Sequence, residues 1–412
     1  MSEAAAGRPA LSRRNSAWLT IAALAGLYTG QSILGGIAFL ALPSVLRERG
    51  LPLDAIGLIY LISLPWALKI AWSAAVERYR LPPTGPTRSR LIVFACGLFT
   101  LAGLVAVAIA GPERWHLVLA IFIAVAFAAA TADIACDGHA VETLAKAHHG
   151  WGNAAQVGGA YLGSALGSGL FLVLVARIDW AGATLAAAGL FGLLMLPFLV
   201  SKPAPSPGLR THQPSLKAAF ARPRLRSGLW LAALYVAAQK WGVGMLPPML
   251  VDAGLDLETL GAINGLGGLA VGLGFALLGG GAVRLWGART VMVAALLLQA
   301  GALALLATAI GQGGSSPLLL AGLALASSSG IMALGFVALY ARFMAIADPR
   351  QAGVDFTLLQ GTDSIVSMVG GLGAGWVAQH FGYTPYLAGA AGLALLAAPL
   401  AAWLTVSDRG EE

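Results

Sequence analysis

Charged residues are scarce in this chain. Of its 412 residues, only 10% are Asp, Glu, Lys or Arg, while 58% are hydrophobic. Soluble domains carry about 25% charged residues, so a soluble multidomain enzyme is excluded and a protein with many membrane spans is predicted. The net charge of +7 comes without a basic module interleaved with aromatic residues, which argues against a nucleic-acid-binding protein.

Cysteine and the usual catalytic patterns are also scarce. Cys96 and Cys136 lie within or at the end of apolar segments and make neither a disulfide framework nor a thiolate metal motif. His148 and His149 are adjacent but have no histidine at helical spacing, so a solvated loop is favoured over a metal site. There is no Walker loop and no serine–histidine–acid arrangement. We therefore expect no enzyme activity, no cofactor, no metal site and no ATP-driven pump.

A cleavable signal peptide is not evident either. The apolar run from Trp18 to Leu42 is longer than the core of a signal peptide, which is about 7–15 residues. It predicts a first membrane span, and a span needs about 20 apolar residues. Twelve segments meet this requirement: 18–42, 55–76, 91–110, 117–137, 154–176, 182–201, 228–250, 259–281, 290–310, 317–341, 354–378 and 384–405.

The basic residues are unequally placed between the two faces of the membrane. With twelve spans both termini lie on one face, and most Lys and Arg residues fall on that face. The opposite face has only these four: Arg47, Arg49, Arg114 and Arg177. Because positive charges favour the cytoplasmic side, both termini are predicted to be cytoplasmic.

The longest connection, 202–227, is rich in Pro and basic residues and contains no acidic residue. It predicts a cytoplasmic linker between an N-terminal six-helix bundle at 18–201 and a C-terminal one at 228–405. Short cytoplasmic tails at 1–17 and 406–412 flank the bundles. The basic run is interpreted as a topology anchor that can also touch anionic lipid.

The two halves of the chain repeat. Residues 42–57 match residues 246–261 at a constant shift of 204 positions, which takes Leu42 to Leu246. The residues kept across this shift are Leu42, Pro43, Leu46, Gly50, Leu51, Leu53 and Gly57. The same shift relates Gln156 to Gln360, Gly167 to Gly371 and Gly169 to Gly373. An all-α membrane protein of two pseudo-symmetric six-helix halves, the architecture of major facilitator transporters, is therefore predicted.

Small residues recur at four-residue spacing in two predicted spans. The fifth span has Gly158, Gly159, Gly163, Gly167 and Gly169, and the eighth has Gly261, Gly265, Gly268 and Gly272. Small residues let helix backbones approach closely. In the predicted architecture, spans five and eight face each other across the two halves, as do two and eleven. These glycines therefore predict contacts at that interface, and no strand precedes them as a nucleotide loop would require.

Several polar and aromatic residues are predicted near mid-bilayer, since about ten to thirteen residues at 1.5 Å each reach that depth. Together with the repeated glutamines, they are our candidate substrate-binding residues: Tyr28, Gln31, Gln156, Tyr235, Gln239, Lys240, Trp241, Gln360 and Asp363. The aromatic members could stack on a flat ligand or simply pack.

Lys240 is the foremost of these candidates. An ammonium group at the centre of a membrane helix costs roughly 3 kcal/mol, and Asp363 at similar depth is a natural partner. The pair predicts binding of an anionic substrate, with Lys240 as the attracting group and Asp363 released to water or a proton. The alternative is a permanent salt bridge between the two residues.

Asp133, Asp137 and Lys69 are the candidates for proton coupling or gating. The two aspartates are four residues apart and share one face of a helix. A carboxylate at membrane depth indicates a function unless a partner explains it, and Lys69 on the second span is an available partner. The alternatives are a structural ion pair with Lys69 or a carboxylate at a helix end.

Three stretches resemble a known family. They are Asp-Ile-Ala-Cys-Asp-Gly at 133–138 followed by Gly-Trp-Gly-Asn at 150–153, the segment 64–78 around Lys69 and Trp72, and Asp-Phe-Thr-Leu-Leu-Gln at 355–360. These stretches resemble the muropeptide-permease-like branch of the major facilitator superfamily. Ala74 departs from the pattern, since a proline is common there in that branch.

Within that branch, the compact length and the stretch from Asp137 to Asn153 look most like ferric-siderophore permeases of the rhizobactin and pyochelin type. The resemblance implies a monomeric, proton-coupled importer that moves an iron-loaded siderophore from periplasm to cytoplasm by alternating access. It also implies a multi-pass protein of the bacterial inner membrane. Muropeptide or other anionic-metabolite transport, drug or metabolite efflux, and a membrane enzyme or sensor remain alternatives.

Overall fold

The computed structural model describes residues 10–82, 86–143, 158–200, 216–347 and 352–407. Across these ranges the chain forms helices, without any strand, which confirms the predicted all-α class. The described ranges contain twelve long helices: α1 (10–48), α2 (53–80), α3 (Ser89–Ala110), α4 (112–143), α5 (158–177), α6 (Trp180–Val200), α7 (223–252), α8 (257–286), α9 (288–312), α10 (317–346), α11 (Ala352–Phe381) and α12 (Tyr383–Ser407).

The helix lengths suit a membrane. The 22 residues of α3 extend over about 33 Å, slightly more than the hydrocarbon core of a bilayer. In the described part of the chain, nine helices are long and apolar enough to cross a membrane. One of these, Leu257–Gln312, is broken at Gly287, whose φ of +77° favours glycine, and this break separates α8 from α9.

Two long helices, α7 and α11, do not belong to those nine apolar helices. Helix α7 carries Lys240 and helix α11 carries Asp363. Two helices outside the nine apolar ones therefore hold the foremost predicted site residues.

The sequence repeat has a structural counterpart. Residues Leu42–Glu48 and Leu246–Asp252 form equivalent helices that each have a proline in the first turn. Each is followed by a glycine with positive φ, Gly50 at +81° and Gly254 at +93°. Because a positive φ is readily adopted only by glycine, the repeated glycines end equivalent helices at equivalent points.

Local irregularities of the helices also repeat. The 3₁₀ turn Leu58–Ser63 in α2 corresponds, at the shift of 204, to the π-helical turn Ile263–Gly267 in α8. The π-helical turn Ile37–Ala41 in α1 corresponds to the 3₁₀ turn Trp241–Val243 in α7. Both halves thus depart from regular α-helix at matching positions, and such departures are frequent at functional sites.

Glycines let the two halves approach closely. A methyl group on Gly169 of α5 would come within 2.3 Å of the Gly265 Cα in α8. One on Gly375 of α11 would come within 2.8 Å of the Gly57 Cα in α2. The structure therefore has the predicted five–eight and two–eleven contacts. The prediction is wrong for Gly159, Gly163 and Gly167 of α5, which instead face α1.

The predicted linker lies partly outside the described residues. A short helix, Leu216–Ala221, falls within it, and the first helical segment of α7, Pro223–Lys240, begins before the predicted boundary at residue 228. The predicted boundaries of the bundles and tails stay predictions. The larger buried cluster includes Ile56 of α2 and Ala374 of α11, so the halves share a packed core.

Candidate functional site

Lys240 and Asp363 form an ion pair between α7 and α11. The Lys240 Nζ lies 2.5 Å from Asp363 Oδ1. The lysine side chain is 32% exposed and the aspartate side chain only 11%. The ammonium is thus the more accessible partner of the pair.

Three further side chains surround this ion pair. The Ser367 hydroxyl donates to Asp363 Oδ1 at 2.9 Å, one helical turn further along α11. The Tyr340 hydroxyl of α10 also hydrogen-bonds the Asp363 carboxylate. The Lys240 Nζ lies 4.9 Å from the centroid of the Phe336 ring, within the range of a cation–π interaction. The aspartate is therefore held from several sides, and it orients the lysine.

This arrangement can hold an anion. An ammonium group has three hydrogen-bond donors, and the contact with Asp363 Oδ1 uses one of them. A carboxylate or phosphate of a substrate can accept from the others without displacing Asp363. Neutral ring systems can pack beside the Phe336 and Tyr340 rings, whose centroids are 5.9 Å apart.

The other predicted residues of α7 are buried or packed against neighbouring rings, and the Tyr235 ring lies 6.3 Å from that of Phe336. Tyr235 and Gln239 are fully buried, and Gln239 Nε2 donates to the Tyr235 hydroxyl at 3.3 Å. Gln299 Nε2 bonds the backbone oxygen of Gln239 at 3.4 Å, so this network lies in the core of the C-terminal half. Trp241 packs edge-to-face on Tyr386, with ring centroids 6.0 Å apart. Substrate contact by these residues remains a prediction.

A second polar cluster joins α1, α2 and α4. The Lys69 Nζ lies 2.9 Å from Asp133 Oδ2, and the two side chains are 12% and 13% exposed. The Tyr28 hydroxyl donates to Asp137 Oδ1 at 2.7 Å. The structure thus places Tyr28, predicted as a substrate-binding residue, beside the predicted proton-coupling residue Asp137.

The remaining predicted glutamines have different surroundings. Gln31 borders a small apolar cavity of about 20 Å³ between α1, α3, α4 and α6, and its Nε2 is buried without a partner among the described residues. Gln360 lies half-buried on α11. Gln156 lies outside the described residues, so its predicted role is carried forward as a prediction only.

Sequence analysis missed Arg80. Its side chain is fully buried and pairs with Glu77 through Nη2 at 2.7 Å and Nε at 2.8 Å, whereas the neighbouring Arg78 is exposed. The guanidinium lies against Gly138, where an added methyl group would come within 2.6 Å of Arg80 Cζ. The glycine that follows Asp137 was the available signal, since a close approach is a common reason for glycine.

Salt bridges at one end of the bundle were also missed. Arg47 Nε of α1 binds both carboxylate oxygens of Asp252 of α7, at 2.7 and 2.8 Å. The Tyr383 hydroxyl of α12 donates to Asp252 Oδ2 at 2.6 Å. Arg177 of α5 pairs with Glu258 of α8. We call this the distal end of the bundle, and there the pairs join the two halves.

Comparison with known proteins decides the family. The family model of the Major Facilitator Superfamily matches residues 20–285, more than half of the chain. This chain belongs to the Major Facilitator Superfamily. It is therefore a transporter rather than an enzyme, and the apolar helices make it a multi-pass membrane protein.

Two curated relatives of this superfamily member share part of its sequence. The anhydromuropeptide permease of Escherichia coli strain K12 is 28% identical over 243 residues, which cover 56% of this chain and 49% of the permease. An uncharacterized protein of Haemophilus influenzae is 29% identical over 165 residues, 39% of this chain and 38% of that protein. The matched part thus spans about half the length of the permease and a smaller share of the Haemophilus influenzae protein.

Solved structures match the whole bundle. A mutant of the nucleoside transporter NupG has a TM-score of 0.69 at 15% identity, over 93% of this chain and 99% of that one. A bacterial homologue of the human lysosomal transporter Spinster has a TM-score of 0.67 at 16% identity, over 98% and 99%. A D-xylose-proton symporter has a TM-score of 0.67 at 15% identity, over 93% and 96%. At such identities the likeness shows the fold alone.

The comparisons support the predicted superfamily but not the predicted siderophore branch. The superfamily and the resemblance to a muropeptide permease are supported. The siderophore branch is not supported, because none of the names of these relatives and structures mentions a siderophore. The cytoplasmic location of the termini stays a prediction.

Proposed function

We propose that this chain imports an anionic sugar–peptide of the anhydromuropeptide class across the bacterial inner membrane. The proposal moves from siderophores to the alternative substrate class because the named curated relative is an anhydromuropeptide permease. Alternating access of the two halves would move the substrate, and the proton gradient would drive its accumulation. The single observation that carries the site is the accessible ammonium of Lys240 within a polar and aromatic setting.

Lys240 would bind a carboxylate of the substrate. Asp363 keeps the ammonium in place and lowers the cost of its burial, since an isolated charge at membrane depth is unfavourable. The substrate carboxylate would then occupy the donors that Asp363 leaves open, and Asp363 would stay bound. This revises the expectation from sequence in which Asp363 is released during transport.

The surroundings of the ion pair suit a sugar–peptide. The structure adds Ser367 and Tyr340 next to Asp363, and Phe336 offers an aromatic face. Hydroxyl groups and an aromatic ring beside a cation are the groups that would contact a sugar and a short acidic peptide.

The deciding experiment is uptake by spheroplasts, in which the outer membrane no longer limits entry. Cells with and without this gene would receive a tritiated anhydromuropeptide and, separately, a panel of siderophores loaded with radioactive iron. We expect gene-dependent accumulation of the muropeptide that disappears when the proton gradient is collapsed. Accumulation of an iron chelate instead would overturn the proposed substrate class, and loss of preloaded label would overturn import.

Lys240→Ala tests the site itself. We expect this variant to lose muropeptide accumulation while reaching the membrane at the parent level, because the attracting charge is gone. Lys217→Ala is the matched control, since Lys217 lies on the short helix before α7 and on neither α7 nor α11. Transport by Lys240→Ala at the parent rate would assign Lys240 to the structure only.

A further inference from the structure

The cluster at α1, α2 and α4 has an imbalance of charge. Among the described residues hydrogen-bonded within it are one ammonium group, that of Lys69, and two carboxyl groups, those of Asp133 and Asp137. The remaining member, Tyr28, is neutral. If both carboxyl groups were ionised, one negative charge would stay uncompensated at membrane depth, where charge is costly.

The two carboxyl groups have different partners. Asp133 Oδ2 lies 2.9 Å from the Lys69 ammonium, and little of either side chain is exposed, so this pair is neutral as a unit. Asp137 Oδ1 accepts only a neutral hydrogen bond in the described contacts, that from the Tyr28 hydroxyl. The uncompensated charge is therefore assigned to Asp137.

Among the described residues, the other titratable groups near Asp137 do not remove this imbalance. From α2, Arg80 lies against Gly138, but Glu77 binds its guanidinium and balances its charge. On α4 itself, the Cys136 thiol is buried, and the His139 ring packs against Phe198 of α6 at 4.9 Å. Lys69 also faces this region, and its charge is balanced by Asp133.

We propose that Asp137, rather than Asp133, is the residue that takes up and releases the transported proton, an inference that rests on the proposed proton-driven import. A proton from the distal side binds the Asp137 carboxylate and makes the cluster neutral. After the site opens to the cytoplasm, the same proton leaves and the carboxylate is restored. The pair of Lys69 and Asp133 stays intact throughout and holds α2 against α4.

Tyr28 links the proton to the movement of a helix. An ionised Asp137 accepts the hydrogen bond of the Tyr28 hydroxyl, whereas a protonated Asp137 is itself a donor. Protonation therefore changes which group donates in the contact between α4 and α1. Helix α1 also carries the π-helical turn Ile37–Ala41 and the distal salt bridge of Arg47, so a changed contact at Tyr28 acts on a helix that joins both halves.

The first test compares two substitutions in spheroplasts supplied with the tritiated anhydromuropeptide. We expect Asp137→Asn to accumulate no more label than de-energised cells, while exchange of labelled for unlabelled muropeptide continues. We expect the double variant Lys69→Gln/Asp133→Asn to keep gradient-driven accumulation, because it removes a neutral pair. Asp54→Asn is the matched control, since Asp54 is exposed at the start of α2.

The outcomes separate the two proposed proton carriers. Gradient-driven accumulation by Asp137→Asn would overturn the proposal. Loss of gradient dependence in the double variant, with exchange intact, would mean that Asp133 is the proton carrier and would overturn the proposal. If Asp137→Asn does not fold, Tyr28→Phe decides: we expect it to shift the pH dependence of accumulation, and an unchanged pH profile would overturn the proposal.

A second readout needs no substrate. Infrared spectra of the purified protein at stepped pH should contain the C=O stretch of a protonated carboxyl group that is missing in Asp137→Asn and present in Asp133→Asn/Lys69→Gln. If this band titrates as expected but the parent takes up no muropeptide, the proposed substrate is wrong and the proton site stands. If the parent transports muropeptide and the band is unchanged in Asp137→Asn, the proton site is wrong.

Discussion

At the scale of single residues, the membrane makes each buried charge informative. Lys240 and Asp363 form a pair in which the carboxylate has further partners and the ammonium remains accessible. Removing one member of a buried pair costs more than removing both, because the remaining charge is left uncompensated. Comparing the stability of the single and double variants therefore tests the pairing of Lys240 with Asp363.

We expect Asp363→Asn to lower the free energy of unfolding by about 1–3 kcal/mol, less than for a fully buried pair because Lys240 is partly exposed. Adding Lys240→Met should recover most of this loss, since the unpaired ammonium is then gone. Thermal unfolding in detergent would measure both effects. A double variant less stable than Asp363→Asn would contradict the pairing.

At the scale of helices, glycines and caps set where each element begins and ends. Helix α8 begins after Asp256, whose carboxylate accepts from the Thr259 N–H and from its hydroxyl, both at 2.8 Å. These two hydrogen bonds, of which the one from the Thr259 N–H has the larger effect, hold the pKa of Asp256 below its usual value. The equivalent position of the first half is Pro52, so the two halves start this helix differently.

The cap of α8 makes a pH-dependent contribution to the stability of the protein. Because the pKa of Asp256 is lowered by folding, its contribution is present above the ordinary aspartate pKa of about 3.9 and is lost as the pH falls through the lowered value. We expect Asp256→Ala to cost ~1 kcal/mol at neutral pH. The difference from the parent should shrink in acid, as followed by thermal unfolding at stepped pH. An equal difference at all pH values would mean that the charge is not involved.

At the scale of the whole molecule, the halves are held together at the distal end. Arg47 and Asp252 belong to different halves, and Tyr383 binds the same carboxylate from α12. Opening this end would break the contact of Arg47 while Tyr383 and Asp252 stay in one half. The distal salt bridge therefore favours the state in which this end is closed.

We expect Arg47→Gln to shift the population towards a state open at the distal end. Spin labels would be attached at the exposed positions Glu48 and Gln312 in a background without native cysteines. Pulsed electron paramagnetic resonance should then report a longer distance between the two labels in the variant. Arg49→Gln is the matched control, because Arg49 pairs with Glu113 inside one half. The same distance change in both variants would remove the special role of Arg47.

The sequence by itself determined the helical class of the described residues and some of the contacts of small residues. Long apolar runs must hide their backbone groups in helices, and glycine at Gly57 or Gly169 leaves room for a neighbouring backbone wherever two helices meet. Charges at equal depth, such as Lys69 and Asp133, could be matched because few ionic partners exist in a membrane. These arguments need composition and depth only.

Only the tertiary structure decided which way each polar side chain faces. Depth in the membrane predicted that Tyr28 and Gln239 lie in one site with Lys240. In the structure, Tyr28 hydrogen-bonds Asp137, and Gln239 lies in the core of the C-terminal half. The reason is helix rotation: adjacent residues point about 100° apart at 3.6 residues per turn. Irregular turns such as Ile37–Ala41 add further rotation. The direction of each face is therefore set by packing against neighbouring helices, which sequence periodicity does not contain.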